Sequence, residues 1–87
     1  MEDNFKDPIY EFDTGYYKTK NKALKAIDFD EINNILDKTD YIRDIKDEIE
    51  DLIDIIECIS GKKGESSNKG ICVIHNDNGW RIQICLY

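Results

Sequence analysis

From Trp80 onward the chain alternates without a break: Trp80, Ile82, Ile84 and Leu86 are apolar, and Arg81, Gln83 and Cys85 stand between them. Side chains of a strand point to opposite faces with period two, so this run is a strand with one buried and one wetted face. Such a strand is not stable alone; the rest of the chain must supply neighbouring strands and a layer to cover the apolar face. Gly70-Ile-Cys-Val-Ile-His-Asn76 is a second strand-like run, and Asn78-Gly79 between the two predicts a C-terminal β-hairpin. A two-residue turn puts Ile71 and Val73 on the buried face, whereas a type I turn with a bulge at Gly79 puts Cys72 and Ile74 there. The first run is apolar on both faces, so both registers stay open.

The covering layer is visible upstream. Ile42, Ile45, Ile49, Leu52, Ile56 and Ile59 follow at spacings of 3, 4, 3, 4 and 3, which is one face of a helix. Thr39 or Asp40 offers its N-cap, and Ser60-Gly61 its end, with Gly61 free to take a left-handed conformation. Lys62–Lys69 is small and polar and predicts a mobile loop. Two shorter helices precede the long one. Thr19 is placed to cap a helix over Lys20–Ile27. Asp28, with Glu31 three residues on and Ile27 and Ile32 at staple positions, starts one over Phe29–Lys38. Near the N-terminus, aromatics flank Asp13-Thr14-Gly15, which predicts a short N-terminal hairpin. Eighty-seven residues make one domain, 1–87. The expected fold is α+β: a small antiparallel sheet built from an N-terminal and a C-terminal β-hairpin, packed against two or three helices including one long acidic amphipathic helix.

Charge narrows the functional classes. With 12 Lys+Arg against 19 Asp+Glu the net charge is −7, and it is segregated along the chain. Residues 1–17 carry −4, 18–27 carry +4 from Lys18, Lys20, Lys22 and Lys25, 28–57 carry −9, and 58–87 carry +2. Fifteen isoleucines, twelve aspartates and ten lysines against two arginines resemble the codon bias of an AT-rich genome, so part of this patterning is drift. No apolar run reaches the roughly 20 residues of a membrane span, and no signal-like apolar segment follows Met1. Three cysteines, an odd number, fit reduced thiols better than a disulfide framework. Together these point to a cytoplasmic globule, monomeric or homodimeric, that makes no contact with a membrane.

Chemistry-bearing constellations are few. His75 is the sole histidine, and Cys72 three residues away along a strand points to the opposite face, which argues against a Cys/His dyad. The same opposition, and the lack of any Cys-x₂-Cys spacing, argues against a zinc site from Cys58, Cys72, His75 and Cys85. Asn76-Asp77-Asn78-Gly79 lacks the glutamate that closes a calcium loop, and no Gly-rich loop opens a helix for phosphate. Four lysines on a −7 protein make a weak field for nucleic acid, even with Tyr16 and Tyr17 beside them. The expectation is no enzyme, no cofactor, no metal and no direct nucleic-acid contact.

The acidic helix departs most from a stability optimum. Asp40–Glu57 holds eight acids against Arg43 and Lys46, and like charges meet at i,i+4 in Asp40/Asp44, Asp44/Glu48, Asp47/Asp51 and Glu50/Asp54. Each such pair costs about 0.2–0.5 kcal/mol, and the only favourable pairs at that spacing are Arg43/Asp47 and Lys46/Glu50. Eight charges over about 26 Å of helix approach the one per 3.4 Å of a single DNA strand. The reading is a small acidic inhibitor, encoded by a phage or mobile element, of anti-CRISPR or other anti-defence type. Its partner is a basic nucleic-acid-binding protein, and it acts by DNA-mimic-like charge. The candidate contacts are Asp40, Asp44, Asp47, Glu48, Asp51, Asp54 and Glu57, with Tyr10, Tyr16 and Tyr17. The alternative is an interaction module or antitoxin-like partner that binds through the N-terminal aromatics while the acids merely solubilise. A solvated helix face is the plain reading of the same stripe.

Overall fold

A computed structural model describes residues 8–39, 43–59 and 63–87. Seven elements follow in order: β1 (Tyr10–Asp13), α1 (Lys20–Lys25), α2 (Phe29–Lys38), α3 (Ile45–Glu57), β2 (Gly64–Asn68), β3 (Ile71–Asn76) and β4 (Gly79–Leu86). The four strands form one antiparallel sheet in the order β1-β4-β3-β2, and the helices cover one of its faces. The fold is α+β. Among the described residues no helix is long and apolar enough to cross a membrane.

The period-two run became the central strand β4. Trp80, Ile82, Ile84 and Leu86 are buried, and the β3 partners beside them, Val73 opposite Ile82 and Ile71 opposite Ile84, share their face. That resolves the register in favour of Ile71 and Val73. The two-residue turn falls one residue earlier than the expected Asn78-Gly79: it is Asp77-Asn78, with Gly79 already opening β4 at φ +118 and the Asn78 N–H donating to Asn76 Oδ1 at 2.8 Å. α3 presses Ile45, Ile49, Leu52, Ile53 and Ile56 onto β2 and β3, while α1 lies against β4 and contributes Ala23. Truncating a fully buried isoleucine such as Ile49 to alanine costs about 2–5 kcal/mol. None of the described charged or polar residues is buried.

The caps of the two short helices sit where the sequence puts them. Thr19 Oγ1 accepts from the Lys22 N–H at 3.2 Å, and Asp28 Oδ1 from the Glu31 N–H at 3.0 Å. The long helix starts later than expected. Its N-cap is Asp44, whose Oδ1 accepts from the Asp47 N–H at 3.0 Å. Thr39 instead ends α2, its hydroxyl donating to the Leu36 carbonyl. The expected contributions of Asp40, Ile42, Ser60, Gly61 and Lys62 lie outside the described residues.

Two further expectations are corrected. The N-terminal hairpin does not form: β1 pairs with β4, from Tyr10 opposite Leu86 to Asp13 opposite Gln83, and Tyr17 bridges to Trp80 further along the same strand. Thr14, Gly15 and Tyr16 therefore stand against only Ile82 and Arg81, which is a bulge of one residue. Gly15 takes φ +75, and the Thr14 hydroxyl accepts from the Ile82 N–H at 2.9 Å, keeping the ladder satisfied across the kink. The Asp-Thr-Gly signal was a positive φ, and it serves a bulge rather than a reversal. The second correction is the polar loop, most of which is strand β2. It is held to β3 by a two-residue turn, Lys69-Gly70, whose φ values of +51 and +88 suit the favoured hairpin geometry.

Candidate protein-binding surface

α3 presents three different faces. Its buried face is centred on Ile49 and Ile56. On the flank toward α1, Lys20 Nζ pairs with Glu57 Oε2 at 2.8 Å. On the opposite flank Arg43 grips Glu48 with two bonds, Nε to Oε2 at 3.1 Å and Nη2 to Oε1 at 2.6 Å, and its Nη2 also donates to the Lys69 carbonyl at 3.1 Å. Arg43 precedes the Asp44 cap rather than lying in the helix, so it folds back on Glu48 instead of meeting Asp47 four residues on.

These pairings divide the expected contact residues. Glu48 and Glu57 are held by cations, and Asp44 is committed to the cap. Asp40 lies outside the described residues. Asp47, Asp51 and Asp54 remain on the outward face, all exposed and none in an ion pair with a described residue, and Glu50 stands beside them. Asp47 to Asp54 is seven helical steps, about 10.5 Å, so these four acids average one per about 3.5 Å of axis, in steps of about 4.5, 1.5 and 4.5 Å. The phosphate-like charge density thus holds as an average over about 10.5 Å rather than along about 26 Å. Asp47 also lies in the first turn, where the helix dipole favours an acid, so the helix is less opposed to itself than i,i+4 counting implies.

The aromatic candidates are dispersed. Tyr10 is half-buried on the helix-covered face, its ring 6.5 Å from that of Phe12, and burial together with Glu31 and Asp28 raises its pKa. Its ring thus packs against the core while part of the residue stays exposed. Tyr16 is exposed but occupied: the Arg81 guanidinium lies 5.5 Å from its ring centroid, and its hydroxyl accepts from Asn76 Nδ2 at 3.1 Å. Tyr17 is bound through its backbone, exchanging both N–H···O bonds with Trp80 at 2.7 and 2.8 Å, and the residue is 37% exposed.

The sheet face away from the helices carries its own network. Arg81 and Asp13 form a fork-to-fork pair, with Nε to Oδ1 at 2.9 Å, and Gln83 adds a bond at 3.3 Å. The Arg81 hydrogen bonds hold the Asp13 carboxyl well below the usual carboxylate range. Cys72 lies on this face beside Glu65, and desolvation first, then the Glu65 carboxylate, pushes its thiol up to about 11. His75 is on the other face, stacked on Trp80 at 3.9 Å and 7°. Cys58 sits apart at the α3 C-cap. Among the described residues no three His, Cys, Asp or Glu side chains gather as a metal site.

No protein-family model, no curated protein and no solved structure matches this chain.

Proposed function

We propose that this protein is a non-enzymatic binder that blocks the nucleic-acid-binding surface of a basic protein in the cytoplasm of the cell where it is made. The reading includes a phage- or mobile-element-encoded inhibitor of the anti-CRISPR or other anti-defence type. One observation carries it: Asp47, Glu50, Asp51 and Asp54 form an exposed patch, none of them in an ion pair with a described residue, at a mean axial spacing close to the charge spacing of a DNA strand. The acids at either end of α3 are neutralised or used structurally, so the unpaired acids of α3 itself gather on one outward patch. Fixed charge of one sign steers a basic partner and raises the encounter rate. No specific observation favours the aromatic alternative, since Tyr10 is packed inward and Tyr16 is engaged by Arg81 and Asn76.

The test uses a panel of purified basic nucleic-acid-binding proteins, CRISPR effectors and nucleases among them. Binding to at least one should weaken steeply with salt and be displaced by a short DNA duplex. The Asp47→Asn, Asp51→Asn, Asp54→Asn variant should lose at least tenfold in affinity for it, about 1.4 kcal/mol, with its fold intact. Asp44 is left alone because it caps the helix. Binding that ignores both the duplex and the triple substitution would make the row a solvated face.

A further inference from the structure

We infer that the outer edge of β2, beneath the Ile55–Ile59 flank of α3, is a docking groove for an extended peptide segment in which apolar residues alternate with lysine or arginine.

The groove follows from how α3 is tied down. At its N-terminal end Arg43, holding Glu48, donates to the carbonyl of Lys69, just past the end of β2. At its C-terminal end Ile59 lies over the start of β2, its Cδ1 only 3.3 Å from where a Cβ on Gly64 would stand. α3 therefore runs along β2 with one flank overhanging the strand, and the ion pair with Lys20 marks the other flank as the α1 side. Ile55 is one helical turn before Ile59 and two after Glu48, which places it on the overhang near mid-strand. It is 52% exposed and Ile59 is 39% exposed, an apolar ledge unlike the rest of the outward helix surface.

The strand below the ledge has an open edge. Backbone groups of an antiparallel strand point alternately to one neighbour and the other. The Cys85 N–H donates to the Gly70 carbonyl at 2.8 Å, which fixes the even-numbered positions of β3 toward β4 and the odd ones toward β2. Since His75, Val73 and Ile71 stand opposite Gly64, Ser66 and Asn68, the N–H and C=O groups of Glu65 and Ser67 point away from the sheet. Natural edges are guarded by shortness, by proline or charged side chains, lysine especially, by bulges or by inward charges. The far edge, β1, has Pro8 just before it and the Gly15 bulge after it. β2 contains neither proline nor lysine, its nearest lysines being Lys63 and Lys69 just beyond its two ends, and its register to β3 is unbroken from Gly64/His75 to Asn68/Ile71.

An added strand would take its main-chain bonds from Glu65 and Ser67 and set alternate side chains on the two faces. On the helix side lie the small residues Gly64 and Ser66 with Ile55 and Ile59 above them, a place for an aliphatic side chain. On the other face Glu65 is the acid nearest the strand's centre, while Asp51 stands on the helix side, rimming the ledge one turn before Ile55. Cationic residues therefore suit the alternate positions. A second copy of this chain is disfavoured by charge, because joining β2 edges would bring two α3 acid rows together on −7 proteins. The occupant is a segment of a basic partner, and this inference deepens the proposed function in that sense.

The probe is a blocked seven-residue peptide alternating lysine and valine, with an alternating glutamate–valine peptide and a lysine–valine peptide carrying a central proline as comparisons. The lysine–valine peptide should slow amide exchange at Glu65 and Ser67 and bind at least tenfold tighter than either comparison. Ser67→Pro removes an outward N–H without touching the β3 ladder and should cost at least tenfold. Ile55→Ser, at an exposed site that leaves the core intact, should cost about fivefold and covers the case in which the proline variant misfolds. The Asp47→Asn, Asp54→Asn variant should keep at least half its affinity for this peptide. Unprotected Glu65 and Ser67 amides, equal binding of the proline peptide, or indifference to Ile55→Ser would overturn the inference. So would concentration-dependent protection of those amides without peptide, which would mean a second copy sits there. A protein partner that responds to the triple Asp variant while the peptide fails would sink the groove and leave the proposed function standing. Peptide binding with no response to the triple variant would do the reverse.

Discussion

Gly79→Ala tests how the first and last parts of the chain are joined. Two glycines on this seam have positive φ, Gly15 at +75 and Gly79 at +118, but their surroundings differ. A Cβ on Gly15 meets nothing within 4 Å, whereas one on Gly79 falls 2.2 Å from the Tyr17 carbonyl oxygen and 2.8 Å from its carbon. Gly15→Ala therefore incurs only the left-handed backbone strain, about 1–2 kcal/mol, less a few tenths for the stiffer unfolded chain. Gly79→Ala adds a displacement of about 1 Å, enough to break the paired Tyr17–Trp80 bonds of 2.7 and 2.8 Å. At about 1 kcal/mol net for each bond, the total is about 3–4 kcal/mol. A domain of this size has about 4–13 kcal/mol to lose. Thermal melts followed by circular dichroism should show Gly15→Ala down by about 4–8 °C and Gly79→Ala by about 15–25 °C. Urea unfolding should give the same order. If the two alanines cost the same to within about 0.5 kcal/mol in those experiments, the close approach of Tyr17 to the C-terminal turn is wrong and the bulge assignment falls with it.

The Asp13–Arg81 pair makes a pH-dependent contribution. Because the folded Asp13 pKa is depressed, its stabilisation is present above the unfolded value near 3.9 and is lost progressively as pH falls below it. Asp13→Asn should lower the urea midpoint modestly at pH 7, the pair being part-exposed, and the gap from wild type should close toward pH 2; a gap that widens on acidification contradicts the pairing. Cys72, with its thiol pushed up to about 11, should alkylate with iodoacetamide at pH 8 far more slowly than exposed Cys58 in the folded protein. Glu65→Gln should speed Cys72 labelling, as mass spectrometry of the digested product would read out, and no acceleration would remove Glu65 as a cause.

What was legible in the sequence was what is local. Thr19 and Asp28 cap helices by bonding amides three residues ahead, and β4 announces itself by alternation, so neither depends on the rest of the chain. β2 was illegible because Gly64-Glu-Ser-Ser-Asn68 has no apolar residue; an edge strand is held by backbone pairing and its turn, not by a hydrophobic pattern. Gly15 gave a true signal for positive φ, but whether that makes a reversal or a bulge depends on β4 offering a free edge far away in sequence. The acidic row was legible as a row, not as a division of labour. Choosing between Asp40 and Asp44 as the cap decides whether Arg43 meets Asp47 or Glu48, and Lys20, which neutralises Glu57, lies on another helix. The apolar ledge was half visible: Ile59 falls on the 3,4-spaced apolar face, while Ile55, outside that pattern, is the more exposed.

The position of β1 beside β4 also bears on how the chain finds its fold. β2, β3 and β4 are joined by two-residue turns and close with little loop entropy, whereas contacts such as Glu11 with Cys85 span 74 residues. The meander can form early, and β1 must search for an edge after the helices have largely collapsed onto the other strands. Yet the Ile9 N–H ends 2.7 Å from the Leu86 carbonyl, so the two ends of the described fold are neighbours. Joining them through a short linker, and reopening the chain between α2 and α3, would turn the most distant pairing into the most local. The permuted protein should keep the same sheet while folding faster, with the gain concentrated in the β1–β4 step.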